Sequence, residues 1–182
     1  MRHSILLALG FCLTSVPARA QSYEQDSLRD ITWGTANLGF GSAHVSCNGC
    51  ATHAGGMDLL LAIGGVRNRH IRGGLTLEEW ESASAKAESI TLSLYYYPWA
   101  KRRFFLEGGF GGSSICVLLP AADSMASGSG VAFMSGLGWD LRLAHDRPGL
   151  LLKPRVGVTR IAGGSVARAS VVSIGVGVQW EH

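Results

Sequence analysis

The chain has 182 residues, a formal net charge of +3 and only 16% charged residues. This length suffices for one domain with a sizeable core. The small net charge gives little electrostatic basis for binding nucleic acid, so we expect no nucleic-acid partner. No stretch after the N-terminus approaches the roughly 20 apolar residues of a membrane-spanning helix, which excludes a helical inner-membrane protein. A membrane β-barrel is not excluded, because each of its strands needs only about 9–11 residues.

The first predicted element is a secretory signal peptide. Arg2 gives a basic start, an apolar run follows from Ile5 to Val16, and Ala18-Arg19-Ala20 supplies the small-x-small cleavage pattern. We expect cleavage after Ala20, which leaves residues 21–182 as the mature domain, with 14 Lys and Arg against 13 Asp and Glu. An N-terminal anchor is the alternative, but the apolar run is short for a helix that spans a bilayer.

The mature chain is predicted to be all-β. Hydrophobic residues recur with a period of two, and 25 glycines are scattered along the chain, where each would weaken a helix by about 1 kcal/mol. The first, third, fifth and seventh connections are longer and polar or rich in small residues, whereas the others are short turns. This alternation indicates an eight-stranded antiparallel up-and-down barrel with its long loops at one rim. In chain order, the predicted strands are roughly 32–45, 55–65, 70–80, 89–97, 103–116, 131–142, 150–161 and 170–180.

The two faces of these strands indicate a membrane barrel. One face is apolar, and the other carries glycine, serine, threonine and a few charges, whereas a water-exposed face normally carries many Lys and Glu. We therefore assign the apolar face to lipid and the small polar face to a narrow, packed, non-conducting interior. Buried charges must be paired, so we predict an interior salt-bridge network. It consists of Asp58, Glu78, Glu107 and Asp140 with Arg72, Arg142, Lys153 and Arg155.

Aromatic residues cluster near the short-turn ends of the predicted strands. Amphipathic rings prefer the membrane–water boundary, so we expect these residues to form one girdle. Ordinary core packing is the alternative. The residues are Trp33, Tyr95, Tyr96, Tyr97, Trp99, Phe104, Trp139 and Trp180.

The C-terminal segment SIGVGVQW resembles the targeting signal of bacterial outer-membrane barrels, which runs polar-x-Gly-x-x-hydrophobic-x-aromatic. Ser173, Gly175, Val178 and Trp180 fill these places, although such signals usually end on the aromatic residue and two residues follow it here. With the signal peptide and the strand pattern, the chain is similar to the outer-membrane β-barrel domain family of Gram-negative bacteria that includes the opacity-type and protein A-type barrels. The resemblance covers nearly all of residues 31–180. It implies the barrel fold and a location in the outer membrane, and we expect a monomer with outer-membrane lipid and the barrel assembly machinery as partners.

The segment HVSCNGCATH, residues 44–53, falls on the first predicted long connection. Export to an oxidising compartment favours a Cys47–Cys50 disulfide, and the Asn48-Gly49 dipeptide between the cysteines tolerates tight turn geometry. A zinc site formed by both cysteines with His44 and His53 is one alternative, and free thiols are another. A c-type haem is excluded because the motif Cys-x-x-Cys-His is absent.

Cys116 is expected to remain an unpaired, small hydrophobic residue.

Catalytic geometry is not evident in the sequence. His44, His53, His70 and His145 have no Ser and acidic partner at strand spacing. We therefore expect no enzyme activity, no cofactor and no metal, and a structural or surface-interaction role through the extracellular loops. The alternatives are a lipid-modifying enzyme of the lipid A deacylase or acyltransferase type, and a soluble periplasmic lipocalin-like binding protein with inverted faces.

Overall fold

The computed structural model describes residues 32–47, 50–99, 103–119, 124–142, 150–163 and 167–181, so the predicted signal peptide lies outside the described residues. Within these ranges no helix is long and apolar enough to cross a bilayer. The described strands are β1 (Thr32–Cys47), β2 (Cys50–Val66), β3 (Ile71–Glu81), β4 (Ala85–Trp99), β5 (Phe104–Leu119), β6 (Ser124–Trp139), β7 (Leu141–Arg142), β8 (Leu150–Gly163) and β9 (Ala167–Glu181).

All neighbouring strands are antiparallel, in the order β6-β5-β4-β3-β2-β1-β9-β8-β7, and an additional pairing of β6 with β8 closes the sheet. Strands β6 and β7 form one barrel strand, because Gly138 pairs with Arg155 and Leu141 pairs with Leu152 in the same register. The gap between these pairs contains Pro154, which has no amide hydrogen to donate to a ladder. The predicted eight-stranded antiparallel barrel is therefore confirmed.

The lengths of the connections differ from the prediction. We call the end where β1 leads into β2 the upper rim, and the end that holds Thr32 and Glu181 the lower rim. At the upper rim the strands are separated by two, three, four and three residues, and at the lower rim by four, four and seven residues. The predicted long loops are wrong, because their small polar residues continue the strands instead. The segment Ser124–Gly130, for example, pairs residue by residue with Ser113–Leu119.

The outside of the barrel carries an apolar belt. Side chains along each strand alternate between the interior and the outside, as pleating requires. Large apolar side chains face outward around the middle of the barrel, and Leu92 is 71% exposed. The belt includes Leu38, Phe40, Leu59, Leu61, Leu75, Leu77, Ile90, Leu92, Phe110, Phe133, Val156, Ile174 and Val176.

The interior consists of three layers. Apolar and aromatic residues that include Trp33, Tyr95 and Phe105 fill the lower layer. Charged and hydroxyl side chains occupy the middle layer at the level of the belt. The upper layer is apolar again and contains Ala43, Val45, Trp80, Ala85, Ala87, Ile115, Val117, Ile161, Ala169 and Val171.

The polarity of the wall reverses above the belt. We call the part of the barrel around the upper apolar layer the upper wall. Most of its described outward residues are polar, with Leu118 and Ala162 as exceptions, whereas its inward residues are apolar. The same strands therefore present apolar residues outward at one level and inward at the next. Outward residues of the upper wall include Ser42, His44, His53, Lys86, Glu88, Ser114, Ser127, Arg160, Arg168 and Ser170.

Candidate functional site: the interior network and the upper wall

Arg155 on β8 lies at the centre of the middle layer. Its Nε donates a hydrogen bond to Glu107 Oε2 at 2.7 Å, and its Nη1 lies 3.7 Å from Glu78 Oε1 and 3.9 Å from Asp58 Oδ2. All four side chains are buried. The Thr159 hydroxyl donates a hydrogen bond to Glu78 Oε2. Three carboxylates from β2, β3 and β5 thus converge on one guanidinium group from β8.

A second charged group lies nearer the lower rim. Arg72 Nη1 is 2.6 Å from Glu181 Oε1 and 3.9 Å from Asp140 Oδ2. The Tyr97 hydroxyl donates a hydrogen bond to Asp140 at 2.8 Å, and the Arg72 guanidinium group lies 4.7 Å from the centre of the Tyr97 ring. Glu181 is absent from the predicted network because it follows the apparent end of the targeting signal.

Lys153 makes a different kind of contact. Its Nζ lies 4.1 Å from the centre of the Tyr95 ring and 4.4 Å from that of Phe105, and it donates a hydrogen bond to Gln179 at 3.2 Å. Ring faces attract a cation through their quadrupole. The structure therefore places Lys153 among aromatic rings and an amide rather than in an ion pair. The side chain of Arg142 lies outside the described part of the chain.

A small cavity lies beside the middle layer. A cavity lined by Glu78, Trp80 and Thr159, among others, has a volume of about 10 Å³. A cavity of about 10–15 Å³ is the smallest that holds one water molecule. A cavity of this size fits the interior expected for an eight-stranded barrel, which is only wide enough for side chains.

The predicted aromatic girdle is wrong for three of its eight rings. Tyr96, Trp99, Trp139 and Trp180 are exposed on the outside, and Phe104 packs 5.1 Å from Trp139 between ring centres. The other three rings, Trp33, Tyr95 and Tyr97, are buried in the interior. Strand alternation is the reason, because Tyr95, Tyr96 and Tyr97 are consecutive and cannot all face the same side.

The residues of the predicted targeting signal divide between the two faces of β9. Ser173 is buried and accepts a hydrogen bond from Arg155 Nη1 at 3.4 Å, and Gly175 lies on the same face. Val178 and Trp180 are exposed on the outside. Their part in barrel assembly remains a prediction.

The segment from His44 to His53 is a hairpin rather than a loop. Its strands pair His44 with His53 and Cys47 with Cys50. His44 Nδ1 and His53 Nε2 are 3.0 Å apart, and both side chains are exposed. The side chains of both cysteines lie outside the described set, so the disulfide remains a prediction.

The alternative zinc site likewise remains a prediction, because two of its four ligands are these cysteines. Among the residues that the structure describes, no group of three or more His, Cys, Asp or Glu side chains could hold a metal ion.

Basic side chains line a groove on the outside of the upper wall. Pairing of neighbouring strands places Arg160, Ser170, His44 and His53 in one row across β8, β9, β1 and β2, and Arg168 pairs with Ala162 two positions further along β8. We call these five residues the basic row. The groove has a volume of about 430 Å³, and Arg160, Arg168, Ser170 and His44 line it together with Phe133, the neighbour of Arg160 on β6.

The opposite side of the upper wall carries a charge cluster that is paired internally. Lys86 Nζ is 2.6 Å from Glu79 Oε1 and 2.8 Å from Glu88 Oε1. The hydrogen bonds that Lys86 donates to these carboxylates raise its pKa. A second groove beside Lys86 has a volume of about 490 Å³ and contains Cys116, a free and half-buried thiol.

Comparison with solved structures identifies the fold. Neisserial surface protein A is 16% identical, with a TM-score of 0.55 over 82% of this chain and 96% of that chain. Ail, the attachment invasion locus protein of Yersinia pestis, is 13% identical, with a TM-score of 0.52 over 81% of this chain and 98% of that one. The N-terminal β-barrel domain of Pseudomonas aeruginosa OprF is 11% identical, with a TM-score of 0.50 over 82% and 97%.

The chain has the fold of small bacterial outer-membrane β-barrels. No protein-family model and no curated protein matches the sequence. The likeness at these identities concerns the architecture, and it covers nearly the whole length of each neighbour.

Proposed function

We propose that the protein is an integral outer-membrane barrel with a packed, non-conducting interior and a structural or surface-interaction role. The observation that carries this proposal is the reversal of polarity along the strands. An apolar belt around a polar interior suits lipid outside, and a polar surface around an apolar core suits water outside. One chain with both patterns in series fits a barrel that crosses a bilayer and projects beyond it.

The arrangement of the chain ends supports the orientation of the barrel. With eight strands, both ends of the barrel domain lie at the lower rim. A chain exported through the predicted signal peptide reaches the outer membrane from the periplasm, so the lower rim faces the periplasm and the upper wall faces outward. Because the connections of the upper rim have only two to four residues, surface interaction takes place on the upper wall rather than on long loops.

Two alternatives receive less support. A soluble lipocalin-like protein would expose the apolar belt to water, which is unfavourable by roughly 25 cal/mol for each Å². For an enzyme, the described histidines have unsuitable partners: His44 and His53 contact each other, and the ring of His70 contacts the backbone carbonyl of Tyr97 at 2.7 Å. His145 lies outside the described residues.

Heat-modifiability of the membrane fraction tests the proposal. A closed membrane barrel resists unfolding by sodium dodecyl sulfate until it is heated, so we expect the unboiled protein to migrate differently from the boiled protein and to sediment with outer membranes. The test should include a periplasmic protein as a fractionation control. Recovery of the unheated protein in the soluble periplasmic fraction, with no band shift, would contradict the proposal.

A further inference from the structure

Among the residues that the structure describes, no acidic side chain lies on the outer face of the strands that carry the basic row. Strands β1, β2, β8 and β9 contain only two acidic residues among their described positions, Asp58 in the interior and Glu181 at the lower rim. Arg160 and Arg168 are exposed, and neither forms an ion pair with any residue that the structure describes. In contrast, Lys86 on the opposite side is engaged by two carboxylates.

The dimensions of the row suit a ligand larger than a single ion. Adjacent strands are about 4.8 Å apart, so the row from Arg160 to His53 spans roughly 14 Å. The groove of about 430 Å³ along it is within the range of small-molecule binding sites, which is roughly 300–1,000 Å³. The donors that line the groove include two guanidinium groups, the His44 imidazole ring and the Ser170 hydroxyl, and His53 pairs with His44 at the end of the row.

The position of the groove indicates an amphipathic ligand. Phe133 belongs to the apolar belt, is 53% exposed and lines the same groove as the two arginines. A molecule in this groove would therefore meet apolar surface on one side and cationic surface on the other, at the level where the belt ends. Guanidinium groups bind phosphate oxygens in bidentate geometry, with stronger hydrogen bonds than those between neutral groups.

The geometry points to a lipid-binding site on the basic row, occupied by a phosphorylated lipid of the outer leaflet. Its phosphate groups contact Arg160 and Arg168, and its acyl chains lie against Phe133 and the belt below. This inference rests on the proposed membrane location, because only a membrane barrel presents this groove to lipid.

Native mass spectrometry of the folded mature protein in a neutral detergent tests the site. The probes are diphosphoryl lipid A and lipid A from which both phosphates have been removed. We expect the wild-type protein to retain one diphosphoryl lipid A and to bind the dephosphorylated lipid at least about tenfold more weakly. The double variant Arg160→Gln/Arg168→Gln should lose this preference, and the control Lys86→Gln, which changes a cation of the same rim that is already paired, should keep it.

Two outcomes would overturn the site. Equal retention of the two lipids by the wild-type protein would show that phosphate is not recognised, and unchanged binding by the double variant would show that other residues recognise it. Binding of heparin without binding of lipid A would also contradict the proposal, because it would show that the basic row binds a soluble polyanion and not a lipid. The band shift of each variant on heating is measured in parallel. A variant that keeps the shift but not the lipid preference contains a folded barrel, so its result concerns the lipid site and not the proposed membrane barrel.

Discussion

Arg155 is one cation among three buried carboxylates, so the stability of the middle layer should be sensitive to its replacement. Glu107 is held at hydrogen-bond distance, whereas Glu78 and Asp58 lie 3.7 and 3.9 Å away. Each of these carboxylates also has one buried oxygen with no hydrogen-bond partner among the described residues. Because an uncompensated buried charge is strongly destabilising, the middle layer depends on this guanidinium group.

Replacing Arg155 with Met should therefore lower the free energy of unfolding by about 3–5 kcal/mol. Urea unfolding in lipid vesicles, followed by tryptophan fluorescence, would measure the change. The matched control is Lys86→Met, which removes a half-exposed ion pair of the upper wall and should cost at most about 1 kcal/mol. Equal losses in the two variants would contradict the interior role of Arg155.

The composition of the interior was partly predictable at the residue scale. Strand alternation alone places Asp58, Glu78, Glu107 and Arg155 on the inward face, where the structure has them. Which charges pair with which depends on the stagger of the strands, and a sequence carries little information about stagger. The ring contacts of Lys153 are not predicted, because the predicted network pairs the interior cations with carboxylates.

Among the elements, the β1–β2 hairpin shows how backbone register constrains chemistry. Cys47 and Cys50 are directly paired and are separated by two residues. Directly opposed residues in an antiparallel pair have Cα atoms about 4.5–5.5 Å apart, which is within the range of about 4.4–6.8 Å for disulfides. The register therefore permits the predicted Cys47–Cys50 disulfide.

Thiol counting tests this disulfide. The predicted cleavage after Ala20 would remove Cys12 and leave three of the four cysteines, so a maleimide mass tag should add once before reduction, at Cys116, and three times after reduction. The variant Cys47→Ser should take two tags without reductant, because Cys50 loses its partner. Three tags on the unreduced wild-type protein would show free thiols instead.

Strand ends were the elements that the sequence predicted least well. The segments around 81–88 and 120–130 contain small or polar residues on both faces, so their alternation is hidden and they resemble loops. The structure continues the strands through residues 81, 85–88 and 124–130, since the residues there gain cross-strand backbone hydrogen bonds with a neighbour that is already extended. Polar composition therefore marked the end of the belt rather than the end of the strands.

For the whole molecule, the boundary between belt and upper wall predicts where a charge is tolerated. Leu92 lies in the belt and Ser127 lies outward on the upper wall. An arginine on the lipid face near the middle of the bilayer destabilises a barrel by about 2–4 kcal/mol, and the cost falls to roughly 0–1 kcal/mol near the interface. We expect Leu92→Arg to show the larger loss and Ser127→Arg the smaller one.

Reversible unfolding of both variants in lipid vesicles would measure this difference. The same pair in detergent micelles serves as a control, because micelles adapt their shape around a charge. Equal losses of stability in the two variants in vesicles would contradict this prediction. They would show that the boundary between lipid and water lies elsewhere, or that the belt does not contact a bilayer.

The membrane architecture was predictable because the alternating pattern persists over eight segments. The reversal above the belt was not predicted, since the apolar residues of the upper layer are mostly Ala and Val set between small polar neighbours. Only when the strands are aligned in space do these residues form one core.

The short connections of the upper rim have a consequence for how other molecules meet this surface. Proteases bind flexible, unpaired chain, and exposed loop tips are their usual sites of cleavage. Connections of two to four residues between paired strands offer very little such chain. An antibody raised against the folded surface would likewise contact residues contributed by several strands, and a linear peptide from any one of them would reproduce only a fraction of that epitope.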